Sequence, residues 1–204
     1  KNLCYTIDMP KIIDHEKRKQ LIAEATWRVI SKQGMKGATV RNIAKEAGMS
    51  LGALRHYFPS QDRLLEFSMN LVKERVMKRI QMITASPMPP KEKVVSALME
   101  IIPSNETTRA EMEVWMEFVF HYRNSGLPEK GNDGIRDGIA HLINLLNSCG
   151  ILKPNRDLDF EIERLYALID GLAVHAVMEP DRLTAEKIRS TLERHLDEIC
   201  IFPH

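Results

Sequence analysis

Long apolar runs are absent from this 204-residue sequence. None approaches the ~20 residues that a helix needs to cross a bilayer, and the opening residues KNLCYTIDMP contain no apolar signal-peptide core. Cysteine is also scarce: Cys4, Cys149 and Cys200 lie far apart, without CxxC or metal-ligand spacing. We therefore expect no membrane partner, free thiols and a reducing, cytoplasmic location.

The sequence also lacks the short motifs that carry much of enzyme chemistry. It contains no HExxH zinc motif, no GxSxG nucleophile motif, no P-loop and no GxGxxG. The glycine-containing stretch EKGNDGIRDG lacks both the Lys-Ser end of a P-loop and a strand before it. These absences predict a protein that is not an enzyme and that holds no metal or cofactor.

Period-two alternation of apolar and polar residues, which is typical of strands, is not evident in any well-bounded segment. Apolar residues recur instead at three- and four-residue steps, the spacing of one helix face. Hydrophobic residues make up 44% of the chain and charged residues 28%, which is enough for one or two cores. The predicted fold class is all-α.

Charge is distributed unevenly along the chain. Residues 10–58 contain ten Lys and Arg residues and four acidic residues, a net charge of +6. Because the whole chain carries only +1, the remainder is acidic. A basic N-terminal quarter indicates a polyanion-binding module joined to a part with another task. Chance clustering of charges on solvated helix faces is the alternative.

Nine helices are predicted, the first three of them at the N-terminal end. Thr39 and Ser50 are the predicted N-caps of the second and third helices. Gly34 and Gly48 end the first and second. The fourth helix would span roughly 36 Å at 1.5 Å per residue, long enough to join two domains, and the prolines of ASPMPP end it. The predicted ranges are 15–33, 40–47, 51–57, 60–84, 91–102, 106–124, 134–149, 157–178 and 184–200.

The stretch AGMSLGALRHYF (47–58) has the spacing of a helix-turn-helix. Its second helix begins with the small residues Gly52 and Ala53, so its leading face is almost bare. A bare face can approach base edges in a major groove about 12 Å wide, where bulk would hold the helix out. The side chains placed for DNA are Arg55, for guanine O6 and N7, and His56 and Tyr57, for phosphates.

The segment ATVRNIAKEAGMSLGALRHYFPSQDRLL (38–65) resembles the DNA-binding domain of the TetR family of bacterial transcriptional regulators, and the similarity is dense across residues 15–65. Two positions depart from the family pattern: Arg55 stands where an aromatic residue is frequent, and Gln61 where lysine is frequent. The resemblance implies double-stranded operator DNA as a partner. The residues that it and the motif assign to DNA are Thr39, Arg41, Ser50, Leu51, Gly52, Ala53, Arg55, His56 and Tyr57.

The resemblance also implies the domain organisation. A flexible arm is expected at 1–9, and a three-helix DNA-binding domain at 10–58, with the helix-turn-helix motif at 39–58. A long helix then joins this domain to a larger helical body, the regulatory and dimerisation domain, at 59–204.

The last two predicted helices are the predicted dimer interface. The segment 160–178 is apolar on more than one side, so it must be buried. Gly171 in mid-helix costs ~1 kcal/mol relative to alanine, which favours a close helix approach there. LIDGL (168–172) resembles the corresponding helix of the choline-responsive BetI branch. The predicted homodimer residues are Leu172, Ile188, Leu192 and Leu196; a buried helix within a monomer is the alternative.

A ligand pocket is predicted around MEVWMEFVFHY (112–122), whose Met and aromatic side chains share one broad helical face. Such side chains line adaptable cavities, although plain core packing is the more frequent reason for them. Polar groups in the apolar segment 160–178 need a partner if they are buried. The predicted pocket residues are Met112, Trp115, Met116, Val119, Tyr122, Asp170 and His175. A BetI-like body would imply quaternary ammonium ligands, with Trp115 and Tyr122 as cation–π partners; the residues alone do not identify the effector.

The sequence thus predicts a dimeric, sequence-specific DNA-binding transcriptional repressor that a small-molecule effector releases from its operator. A helical small-molecule-binding protein without DNA affinity is the alternative. Salt-dependent DNA retention separates the two, since only a regulator that contacts several phosphates binds DNA more weakly as salt rises.

Overall fold

The computed structural model describes residues 15–124 and 134–202, with side chains up to His121 in the first range. The predicted arm 1–9 and the side chain of Tyr122 lie outside these residues. The described chain is helical, and its one extended pairing is an isolated bridge between Leu152 and Cys200. The all-α prediction is confirmed. The helices are α1 His15–Gly37, α2 Val40–Glu46, α3 Leu51–Tyr57, α4 Gln61–Ala85, α5 Pro90–Met99, α6 Glu106–Asn124, α7 Ile135–Ser148, α8 Leu158–Met178 and α9 Ala185–Ile199.

Local signals set the boundaries of the first helices. The hydroxyl of Thr39 accepts a hydrogen bond from the backbone N–H of Asn42 at 3.2 Å, and the hydroxyl of Ser50 accepts one from Ala53 at 3.1 Å. Both predicted N-caps are confirmed. α1 breaks at Gly34, where φ is 65° and ψ is −178°, a conformation that is essentially restricted to glycine. The predicted end of the first helix is therefore confirmed as well.

Two hydrophobic cores hold the helices together. We call α1, α2, α3 and the first half of α4 the head. Its core joins these helices, with Ile22, Ile43, Leu54 and Leu64 fully buried. The body core joins α5, α7, α8 and α9. Val114 of α6 belongs to the head core, so α6 reaches from the body to the head.

An ion-pair network fixes α6 against the long helix. The guanidinium of Arg79 on α4 donates to both carboxylate oxygens of Glu111 on α6, at 3.0 and 2.6 Å. It also donates to Glu100, just after α5, at 2.6 Å. Hydrogen bonding to Glu111 and then Glu100 raises the pKa of Arg79, against the lowering effect of burial. Bidentate contacts of this kind define orientation as well as distance, so α4 and α6 are held in register.

None of the described helices combines the length and the hydrophobicity that spanning a bilayer requires.

Candidate nucleic-acid interface

The third helix exposes the face that the sequence predicted to be bare. Leu54 and Phe58 hold α3 on the head core, with 0% and 5% of their surfaces exposed. Gly52, Ala53, Arg55 and His56 are exposed, while Leu51 and Tyr57 are half-buried. Nothing else in the described chain covers this face, so it is accessible to a groove of DNA.

The structure itself does not require glycine at position 52. A Cβ added to Gly52 would meet no atom within 4 Å. A helical glycine costs stability relative to alanine, yet the protomer gives no packing reason for it. The free space at Gly52 is therefore available to a binding partner.

The remaining predicted DNA residues surround this face. Thr39, Arg41 and Ser50 are exposed at the starts of α2 and α3. The oxygens of Thr39 and Ser50 already accept backbone hydrogen bonds as N-caps, but each hydroxyl retains a proton that can be donated to a phosphate. Arg41 has no ion pair within the described residues, which leaves its guanidinium available.

Gln61, which stands where related domains often have lysine, has a role inside the protein. Its side-chain Nε2 donates to the carbonyl of Ala38 at 2.9 Å. This hydrogen bond joins the first turn of α4 to the residue before the Thr39 cap. The side chain therefore supports the entry to α2, and no lysine charge is present at this position.

The acidic residue of the motif is neutralised from α1. Arg28 donates to Glu46 at 2.7 Å, and Lys32 lies 3.6 Å from the same carboxylate oxygen. The hydrogen bond from Arg28 is the main cause that lowers the pKa of Glu46. The second helix therefore presents no uncompensated negative charge to a DNA partner.

A ring cluster that the sequence did not predict lies at the end of α3. The ring centroid of His15, the first described residue of α1, lies 5.5 Å from that of Tyr57 and 6.4 Å from that of His56. The His56 and Tyr57 rings are 5.6 Å apart in an edge-on arrangement. His15 is 41 positions before His56, so no local pattern could have shown the contact.

A cavity of about 200 Å³ in the body collects five of the seven predicted pocket residues, Met112, Trp115, Met116, Val119 and Asp170. The structure adds residues from α7 and α8, among them Tyr166, Ile169 and Val174, and Phe120 from α6. Aliphatic, aromatic and Met side chains with one carboxyl group therefore surround it. In the described residues no group of three His, Cys, Asp or Glu side chains is arranged for a metal ion.

His175 does not line this cavity. It is exposed, and its Nδ1 lies 3.1 Å from a carboxylate oxygen of Glu179 one turn later. Hydrogen bonds from Arg182 and then from His175 lower the pKa of Glu179. The expected polar partner of His175 is thus a neighbour on the surface.

A second cleft, of about 300 Å³, lies between α1, α4 and α6. Its rim cations have acidic partners: Arg28 pairs with Glu46, while Arg75 pairs with Glu24 and lies 4.6 Å from the ring centroid of Trp27. It is larger than the body cavity but contains none of the predicted pocket residues. Because the body cavity collects five of the predicted pocket residues, we regard it as the better candidate for an effector.

Helix α6, which lines the cavity, also contacts the head. A carboxylate oxygen of Glu117 accepts a hydrogen bond from the backbone N–H of Met35 at 3.1 Å, beside the break at Gly34. Trp115 on the same helix both lines the cavity and packs against the head core. Glu117 could not be predicted from a local pattern, because the two residues lie 82 positions apart.

The side chains predicted for the dimer interface lie inside the protomer. Ile188, Leu192 and Leu196 are fully buried, and Leu172 is 8% exposed, all within the body core. The reason is that α9 has one apolar face, which α5, α7 and α8 already cover. These four residues are therefore not available to a second copy.

The outward apolar side of α8 is a different set of residues. Phe160 is 61% exposed, Val174 40% and Met178 70%. Ala167 and Gly171 are exposed between them, and a Cβ on Gly171 would meet nothing within 4 Å. We call Phe160, Ala167, Gly171, Val174 and Met178 the α8 stripe. Their spacing places them along one side of the helix.

Comparisons with known proteins agree with this architecture. Residues 22–66 match the family described as bacterial regulatory proteins, tetR family, and residues 90–201 match the family described as BetI-type transcriptional repressor, C-terminal. The HTH-type transcriptional regulator PksA of Bacillus subtilis (strain 168) is 52% identical over 194 residues, which cover 95% of each chain. The HTH-type transcriptional regulator BetI of Vibrio atlanticus is 28% identical over 200 residues, covering 95% of this chain and 97% of that protein.

Solved structures share the fold. A transcriptional regulator from Saccharomonospora viridis, in complex with choline, superposes with a TM-score of 0.73 at 23% identity, covering 91% of this chain and 99% of that one. A regulator from Pseudomonas aeruginosa PAO1 gives 0.73 at 23% identity, with 92% of each chain covered.

Proposed function

The chain belongs to the TetR family of bacterial transcriptional regulators, and we propose that it acts as a dimeric repressor that a small organic effector releases from operator DNA. As a member of that family it is a helix-turn-helix transcriptional regulator. Repression, dimerisation and release by an effector are the parts that we propose for this chain.

The exposed, bare face of α3 is the observation that carries the proposal. Its small leading residues allow the helix to enter a major groove, and Arg55 then reaches base edges. Thr39, Arg41, Ser50, His56 and Tyr57 surround this face with groups that donate hydrogen bonds to phosphates. The net charge of +6 in residues 10–58 supports the same partner.

We propose that a second copy of the chain binds the α8 stripe. Monomeric proteins rarely leave adjacent large apolar side chains such as Val174 and Met178 in water. Gly171 in the middle of the stripe would permit two α8 helices to approach closely. A symmetric pair would present two α3 helices to two half-sites. The centres of these half-sites would be one helical turn of DNA apart, about 34–36 Å, or somewhat more.

The chemistry of the body cavity supports a small organic cation as the effector. Trp115, Tyr166 and Phe120 can surround a cation with aromatic rings, and Asp170 can supply a negative charge. The BetI-type match of residues 90–201 supports the same class, as does the fold neighbour solved with choline.

Helix α6 is the proposed connection between the effector and DNA. Met116 and Val119 line the cavity, Val114 packs in the head core and Glu117 binds the backbone of Met35. An effector that fits only one position of α6 would therefore favour one position of the head. The two heads of the dimer would then lose the spacing that the operator requires.

Selection from random double-stranded DNA tests the DNA-binding part of the proposal. We expect retained fragments to share a near-palindromic site. We also expect their affinity, measured by fluorescence anisotropy, to fall by about 10³-fold or more between 50 and 200 mM salt if six or more phosphates are contacted. A carrier without DNA affinity would retain no fragment at either salt concentration. That result would contradict the proposal.

Asp170→Asn tests the effector site. Choline is the probe, and the Trp27→Phe background leaves Trp115 as the one tryptophan, because the chain has two. We expect choline to change Trp115 fluorescence and Asp170→Asn to weaken binding about tenfold or more, since a charged partner is lost. Asp181→Asn, an exposed carboxylate outside the cavity, is the control and should bind as before. Equal binding by Asp170→Asn would exclude this carboxylate as the cation's partner.

A further inference from the structure

Two imidazoles flank Tyr57 at the end of the third helix, and one of them comes from outside the helix-turn-helix motif. His15 and His56 are both exposed, whereas Tyr57 between them is half-buried. Their ring centroids are 6.4 Å apart. Among the described residues, the rings of His15 and His56 make ring contacts only. Their nitrogen atoms therefore have no hydrogen-bond partner among those residues.

We propose that His15 is a DNA-contacting residue, which with His56 holds one backbone phosphate in front of Tyr57. The proposal rests on the DNA-binding function proposed above and adds a contact from α1 to it. The ligand is the phosphate group of the duplex backbone, and base identity plays no part in its recognition.

The position of the cluster favours a phosphate over a base. Recognition helices contact bases through their N-terminal residues, which here are Leu51, Gly52 and Ala53. His56 and Tyr57 lie at the other end of α3, one turn further from the groove floor. Nitrogen donors bind phosphate oxygens at about 2.7–2.9 Å when one partner is charged. Two rings separated by 6.4 Å can therefore donate to two oxygens of the same phosphate.

The exposed rings of His15 and His56 contribute little to the stability of the head. A purely structural role therefore does not explain why the two rings lie together. The anchors of α3 are Leu54 and Phe58, and both are buried in the head core, a cluster that does not include His15. Tyr57 packs against the head core in addition. What His15 adds to α3 is a donor beside His56.

The contact would make DNA affinity depend on pH. Imidazole is the side chain that ordinarily changes charge between pH 5 and 8, and a phosphate favours the charged form. DNA binding should therefore be tighter at pH 6 than at pH 8. The charged residues in the first turns of α1, next to the cluster in sequence, are Glu16, Lys17, Arg18 and Lys19, and Arg55 is the charged residue beside His56 on α3. Lys19 and Glu16 form an ion pair at 2.8 Å.

The test compares His15→Ala and His15→Gln with the unsubstituted 204-residue chain, using a fragment retained in the DNA selection. At pH 6 we expect His15→Ala to weaken binding about five- to tenfold and to the same extent on every base variant of the fragment. At pH 8 we expect a loss of about twofold or less. His15→Gln keeps a donor but has no charge, so its ratio of affinities at pH 6 and pH 8 should fall to the His15→Ala value.

His141→Ala is the matched control, because His141 is an exposed histidine on α7 in the body. It should leave the affinity and its pH dependence unchanged. An unchanged affinity for His15→Ala at pH 6 would overturn the proposal, and so would an equal loss at pH 6 and pH 8. If the unmodified chain itself bound no DNA, the proposed function would fail instead, so the two failures are distinguishable.

Discussion

Gly52→Ala is expected to stabilise the free protein and to weaken its binding to DNA. Alanine is favoured over glycine in a helix by up to about 1 kcal/mol, and the added Cβ meets no atom within 4 Å in the protomer. If α3 lies against base edges, the same methyl group falls in the interface. We expect the unfolding midpoint to rise and DNA affinity to fall about tenfold, and Gly52→Leu to reduce affinity more than about 100-fold.

The opposite signs of the two effects make this prediction specific. Replacing a residue that is needed for folding would lower the stability of the protein and its DNA affinity together. Gly138→Ala is the control, because Gly138 is also an exposed helical glycine with free space around an added Cβ, but it lies on α7 in the body. It should gain stability and bind DNA normally. Unchanged DNA binding by Gly52→Leu would show that α3 does not enter the groove.

Gly171→Glu is expected to dissociate the dimer without unfolding the chain. Gly171 is exposed in the middle of the α8 stripe, with nothing within 4 Å of an added Cβ. A carboxylate there would be solvated in the monomer but buried without a partner between two α8 helices, which is costly. We expect the dimer dissociation constant, measured by sedimentation, to rise by at least about 100-fold.

The same variant links dimerisation to DNA binding. A single protomer contacts one half-site, so we expect the affinity of Gly171→Glu for the full site to fall towards that for an isolated half-site. Gly138→Glu places the same charge on another exposed helical glycine and should remain dimeric. A dimeric Gly171→Glu protein would mean that a second copy does not occupy the α8 stripe.

Gly52 and Gly171 have two features in common. Each lies inside a helix, where glycine is unfavourable, and each has free space where a side chain would be. The sequence shows that these glycines interrupt helices. No contact within the protomer accounts for them, and none accounts for Gly138 either. What distinguishes Gly52 and Gly171 from Gly138 is that each lies in a face for which we propose a partner.

Which face of a helix is buried could be predicted only where the helix has one apolar face. α3 has buried anchors at Leu54 and Phe58, and its exposed face followed directly from that spacing. α8 is apolar on two sides, and its sequence does not distinguish the side that packs in the body core from the α8 stripe. The sequence therefore predicts Leu172 and the apolar residues of α9 at a dimer interface, whereas the structure places their side chains in the body core.

The sequence by itself determined what depends on neighbouring residues. Helical periodicity, the caps at Thr39 and Ser50 and the break of α1 at Gly34 are local, because each depends on backbone groups within one turn. Tertiary structure alone decided the contacts between distant residues: His15 with Tyr57, Glu117 with Met35, and the cavity between α6, α7 and α8. Such contacts form only when the helices pack, and that packing depends on the shapes of whole faces. No single residue or spacing encodes those shapes.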